Sequence, residues 1–221
     1  TSDQHLNPFD LPPQASSDER DPLAEQVAAL VGLLQIMLAD RAESLSTDER
    51  ALLDRAIYAT YEAKGITADP TTHSRPVPLL RDLHGTLGRM EGDRAPALAN
   101  RLRRFVDGSL AGLFAGPTNV ALGPASGCPP FVVFNVQSLE PELRPIGIHL
   151  IACFVWNQVR RVRRPRLLII DEAWSLLQYP EGGAFLASMA RRARKYYLGL
   201  VTITQDVADF LGADQGRTVL A

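Results

Sequence analysis

The chain has 221 residues, 46% of them hydrophobic and 22% charged, with a net charge of −2. That length suits one large domain or a domain with an insertion, and the composition is that of an ordinary globular protein. It excludes a disordered chain, a disulfide-dense scaffold and a uniformly basic nucleic-acid binder. The longest apolar stretch, Ile146 to Trp156, is 11 residues and too short to span a bilayer.

In chain order, Leu6 to Leu11 (LNPFDL) predicts a short extended piece stopped by Pro12-Pro13. Asp21 as cap and Pro22 at the first helical position predict a helix to about Asp40, with Leu23, Val27, Leu30, Val31, Leu34 and Leu38 on one face. Ser46-Thr47-Asp48-Glu49 is a capping box, and Gly65 fits the left-handed residue after a second helix ending near Lys64. Further helices are predicted from Pro78 to Met90 and from Pro96 to Val106. Residues 40–107 therefore read as an all-α insertion. From Phe131 the pattern alternates: a strand at Phe131–Val136, a helix across Pro141–Val162, and a strand at Leu167–Ile170. A helix at Gly183–Tyr196, a strand at Leu200–Thr204 and a helix from Asp206 complete it. That alternation predicts an α/β fold with a parallel sheet and right-handed crossovers.

The organising stretch is Leu167 to Trp174, four apolar residues followed by Asp171 and Glu172. An unbroken apolar run predicts a strand buried on both faces, with the acid pair at its carboxyl end, where open α/β sheets bind ligands. In a nucleotide hydrolase Asp171 would hold Mg2+ through water, and Glu172 would orient and deprotonate the attacking water. The plain alternative is an acidic helix start. Gln205, ending the next strand, would sense a γ-phosphate; alternatively Thr204-Gln205-Asp206 caps the last helix.

Two basic runs stand out. Arg191, Arg192, Arg194 and Lys195 close one helix, and Arg194 is the candidate arginine finger toward a neighbouring subunit. Arg160, Arg161, Arg163, Arg164 and Arg166 close another, as a solvated helix end or as a contact for phosphates or an acidic partner. The only lysines are Lys64 and Lys195, and neither follows a glycine, so no Gly-Lys-Ser/Thr phosphate loop is present. Cys128 and Cys153, and His5, His73, His84 and His149, lack metal-ligand spacing. No Ser, His and Asp arrangement supports a hydrolase triad around Ser138 or Ser175.

In combination, LLIIDEAWSLL, RRARKYYLGL and TITQDVADFL, with LNPFDL and GLFAGPTNV (Gly112 to Val120) before them, resemble the C-terminal domain of the conjugal-transfer ATPases of type IV secretion systems, the TrbE/TraC/CagE type. The stretch Pro145 to Arg160 joins that resemblance, which covers nearly the whole chain. It implies a RecA-like P-loop ATPase core at 1–39 and 108–221 around the helical insertion. It also implies ATP and Mg2+ as cofactors, self-association as a hexamer in the parent, and contact with other secretion components and with DNA. The implied place is the cytoplasmic face of the bacterial inner membrane. By position, Asp171 and Glu172 match the family's second nucleotide-binding motif, Arg194-Lys195 its basic motif and Gln205 its glutamine motif.

The departures shape the expectation. The phosphate-loop strand and helix that the family places before LNPFDL are absent, as are the closing strands and a later arginine. The chain is expected to be a piece of such an ATPase, inactive alone. The other readings are a HerA/FtsK-like DNA translocase and a non-catalytic truncated copy acting as a binding module.

Overall fold

The computed structural model describes residues 4–12, 21–38, 45–108, 110–120, 122, 131–204, 207, 212 and 214–220. They fall in two compact units, Thr1–Val132 and Val133–Ala221.

The first unit is helical. α1 (Pro22–Leu38) opens at Asp21, whose carboxylate accepts the Leu23 N–H at 2.9 Å. α2 (Thr47–Ala63) carries the capping box in full: Ser46 Oγ accepts from the Glu49 N–H, and Glu49 accepts from the Ser46 N–H. It ends as the sequence predicts, with Gly65 at φ 73° and the Ile66 N–H closing on the Tyr61 carbonyl. α3 (Leu80–Arg89) and α4 (Arg94–Val106) pack on each other and on α2, while α1 packs on α2 and α4. Leu53, Ile57, Tyr61, Leu83, Leu87 and Leu102 are buried at their centre.

LNPFDL is tied to this bundle mainly by side-chain hydrogen bonds, with one long-range backbone bond, from the Leu6 N–H to the Leu113 carbonyl at 3.3 Å. The Tyr61 hydroxyl donates to the Phe9 carbonyl at 2.7 Å, and the Gln26 amide donates to the Pro8 carbonyl at 2.6 Å. The Asn7 amide donates to the Pro78 carbonyl at 2.9 Å, and the Asn7 N–H donates to the Thr118 hydroxyl at 2.7 Å. The two segments LNPFDL and GLFAGPTNV, far apart in sequence, thus lie side by side.

The second unit is α/β. α5 (Arg144–Arg161) precedes β1 (Arg166–Ile170). The short α6 (Trp174–Leu177) and α7 (Pro180–Ala193) then lead through a single 3-10 turn (Arg194–Tyr196) into β2 (Leu198–Thr202). α8 (Asp214–Leu220) packs on α7. The strands pair in parallel with Leu168 opposite Leu200, the predicted crossover. α7 begins at Pro180, three residues ahead of expectation, because proline suits the first helical turn and Gly182 permits the approach behind it. A Cβ on Gly182 would stand 2.4 Å from the Leu176 carbonyl oxygen.

Three expectations are corrected. Phe131–Val136 forms no strand and pairs with none among the described residues, and Phe131 and Val133 are 75% and 69% exposed. β2 starts two residues early because Leu198 is buried with Trp156, Met189 and Tyr196. β1 is not buried on both faces. Leu168 and Ile170 pack against the α5 and α7 side, whereas Leu167 and Ile169 are 64% and 51% exposed. The apolar run signals a strand made to be covered twice, and among the described residues one face is covered.

Candidate nucleotide site

The acid pair sits where the strand order requires, at the carboxyl end of β1. The Ile203 N–H donates to the Ile170 carbonyl at 2.9 Å, and the Ala173 N–H donates to the Ile203 carbonyl at 3.1 Å. These two bonds hold the ends of β1 and β2 together, so Thr204 comes out beside Asp171 and Glu172. Gln205 lies outside the described residues.

The backbone at the acid pair is unusual. Glu172 has φ 55°, a left-handed conformation that non-glycine residues seldom adopt, and it was not legible in the sequence. The Asp171 carboxylate accepts the Glu172 N–H at 2.9 Å, and the Glu172 carboxylate accepts from the Trp174 indole N–H. Trp174 is therefore a candidate site residue that sequence reasoning passed over; its only signal was its place two residues beyond the acid. The Glu172 carbonyl then accepts the Ser175 N–H at 3.0 Å, turning the chain into α6. Such strain, of the order of 1–3 kcal/mol, persists where surrounding contacts fix the geometry, and it gathers at functional sites.

Arg194 and Lys195 are elsewhere. They lie in the turn before β2, at the amino end of the parallel pair. Five strand residues separate them from the acid pair, about 16 Å at ~3.3 Å per residue. Within one chain Arg194 does not face Asp171 or Glu172. It borders an open cavity of about 590 Å3 along β2 and α7, lined also by Tyr197, Leu200 and Thr202. The acid pair is not part of that cavity.

The residues fit one part of a magnesium nucleotide and not the other. The Asp171 carboxylate, exposed at a strand end, suits a water-mediated divalent cation. No described group of three or more His, Cys, Asp or Glu residues could hold a metal directly. Nothing in the chain fits the phosphates as a Gly-Lys-Ser/Thr loop does. Among the described residues, no helix is long and apolar enough to cross a membrane.

No protein-family model and no curated protein matches the chain. Among solved structures, the fold, helical with a small parallel sheet, is similar to that of VirB4. One such structure is VirB4 of Thermoanaerobacter pseudethanolicus, at a TM-score of 0.82 and 29% sequence identity, covering 97% of this chain and 58% of that one. The resemblance read from the sequence therefore holds in three dimensions: the chain resembles a VirB4/TraC-type ATPase domain and spans 58% of the length of that relative.

Proposed function

We propose that this chain is the greater part of the RecA-like ATPase domain of a type IV secretion or conjugative-transfer motor, in which ATP hydrolysis powers pilus assembly or the transfer of DNA or protein. The observation that carries the reading is the acid pair at the carboxyl end of β1, tied to the end of β2, in a chain similar to VirB4 over 97% of its length. In this reading residues 1–39 and 108–221 form the core, and 40–107 form an all-α insertion. The parent works as a hexamer with other secretion components at the inner face of the bacterial inner membrane.

The division of labour follows from side-chain chemistry. Magnesium, when bound with ATP, supplies charge neutralisation at the transferring phosphoryl group. Asp171 anchors that ion through water. Glu172, its carboxylate fixed by the Trp174 indole, orients a water and takes its proton. Gln205 contacts the γ-phosphate. Arg194 and Lys195, on the far end of the sheet from the acids, serve a nucleotide held by a neighbouring subunit, which supports a finger acting between subunits rather than within one. These 221 residues contain no Gly-Lys-Ser/Thr loop to cradle the phosphates.

The test is Glu172→Gln in the full-length parent. ATP hydrolysis is expected to fall by about 10^2 to 10^4, the usual contribution of a general base, with ATP binding retained. Unchanged turnover would remove the base assignment.

A further inference from the structure

The second unit gathers its positive charge at one place. The run Arg160–Arg166 has five arginines, and the run Arg191–Lys195 has three arginines and a lysine. They are about 25 residues apart in sequence, yet the parallel register sets Arg166 opposite Leu198, and the Arg166 N–H donates to the Tyr197 carbonyl at 3.0 Å. A buried aromatic pair ties the runs together. Trp156 and Tyr196 meet edge-on with ring centroids 5.3 Å apart. Arg192 lies 5.1 Å from the Trp156 ring, and Arg163 and Lys195 each lie 5.7 Å from the Tyr196 ring.

Nine cations therefore share one end of a small sheet. No aspartate or glutamate occurs in residues 143–170 or 182–205, although the chain as a whole is net −2. Arg161, Arg163, Arg191, Arg194 and Lys195 are exposed. The crowding is felt internally: burial first, then the neighbouring Arg164 charge, hold the Arg166 guanidinium below its usual range. Capping two helix ends with positive charge needs far fewer groups.

We infer that this end of the second unit, formed by residues 160–166 and 191–197, is a binding surface for single-stranded nucleic acid. Three features favour a nucleic-acid strand over a bilayer or an acidic protein. Eight of the nine cations are arginines, whose planar forks match phosphate oxygens in pairs. Several are held by ring stacking, so less freedom is lost when they bind. The Tyr197 ring is 62% exposed beside them on a backbone at φ 56°, offering a face on which an unpaired base can stack, as duplex bases cannot. The surface uses neither Asp171 nor Glu172 and overlaps the ATPase reading only at Arg194 and Lys195, which the experiment below leaves unchanged, so failure of one reading is distinguishable from failure of the other.

The experiment is fluorescence anisotropy of a labelled 30-nucleotide oligothymidine titrated with the 221-residue chain between 50 and 200 mM NaCl. Three to five phosphate contacts give an expected slope of about −2 to −4 for log affinity against log salt, at ~0.7 per contact. The triple variant Arg161→Ala, Arg163→Ala, Arg191→Ala is expected to weaken binding about tenfold or more, and the matching triple lysine variant to keep most of it. Tyr197→Ala is expected to lower affinity while leaving the salt slope in place. Arg103→Ala with Arg104→Ala, in the first unit, is the control expected to bind as wild type. Far-UV circular dichroism verifies that each variant is folded. No binding at 50 mM salt, equal binding by the folded alanine triple, tighter binding of duplex than single strand, or sedimentation with phosphatidylserine vesicles without oligonucleotide binding would each overturn the assignment.

Discussion

His149 shows how a single side chain sets a condition on the fold. It lies on α5, 3% exposed, 5.0 Å from the Phe185 ring, with its Nδ1 lacking a hydrogen-bond partner. Burial pushes its pKa down to about 4 from an ordinary 6.5. The unfolded chain therefore binds a proton at a higher pH than the folded chain does, and stability falls as pH drops from 6.5 toward 4. From pH 7 to pH 5 this one group is expected to cost about 2 kcal/mol. Urea unfolding of wild type and His149→Leu at both values measures it: the leucine variant should lose about that much less. Cys153 on the same helix is the opposite case. Burial raises its thiol to about 12, so it is inert as a nucleophile. At this scale the acid pair was legible because two carboxylates after an apolar run are a local pattern. The left-handed Glu172 and its bond to Trp174 were not, since both depend on how the chain turns after β1.

Among the elements, α2 is the one whose ends the sequence specifies best. Ser46 and Glu49 satisfy each other's backbone N–H groups, and Gly65 closes the far end. The Ser46 backbone bond is the chief reason the Glu49 carboxylate sits below its ordinary range. The cap's contribution is accordingly present above that range and is lost as acid protonates Glu49. Ser46→Ala is expected to cost about 1 kcal/mol at neutral pH, read as a lowered denaturant midpoint with unchanged slope. α7 and β2 were placed two to three residues off. Pro180 starts the helix early, and burial of Leu198 pulls the strand toward its amino end. Capping is written in adjacent residues, whereas a strand's first residue depends on what its side chain meets. Phe131–Val136 makes the same point. Its composition suits a strand, but strandhood needs a hydrogen-bonded neighbour, and none is present among the described residues.

For the whole molecule, the exposed Leu167, Ile169, Val201 and Ile203 form an apolar sheet face beside the candidate site. The chain also lacks a Gly-Lys-Ser/Thr loop. The purified 221-residue chain is accordingly expected to show no magnesium-dependent ATP turnover in a steady-state assay, whatever the parent does. Turnover above background would mean that the phosphates find their cradle within the 221 residues, without a Gly-Lys-Ser/Thr loop.

The sequence by itself determined the helix caps, the parallel crossover of the second unit and the place of Asp171 and Glu172 at a strand end. All of these rest on short-range patterns of polarity and conformational preference. The family resemblance rests likewise on ordered local motifs. Tertiary structure decided the rest. It joined LNPFDL to GLFAGPTNV through a backbone bond from Leu6 to Leu113 and the bond from the Asn7 N–H to the Thr118 hydroxyl, across more than 100 residues. It left one face of β1 open, and it set Arg194 at the opposite end of the sheet from the acids. It also merged two separate basic runs into one surface around Trp156 and Tyr196. The physical reason is common to all four. Which residues meet across a fold is fixed by strand register and by what covers each face, and neither is encoded in the neighbours of any one residue.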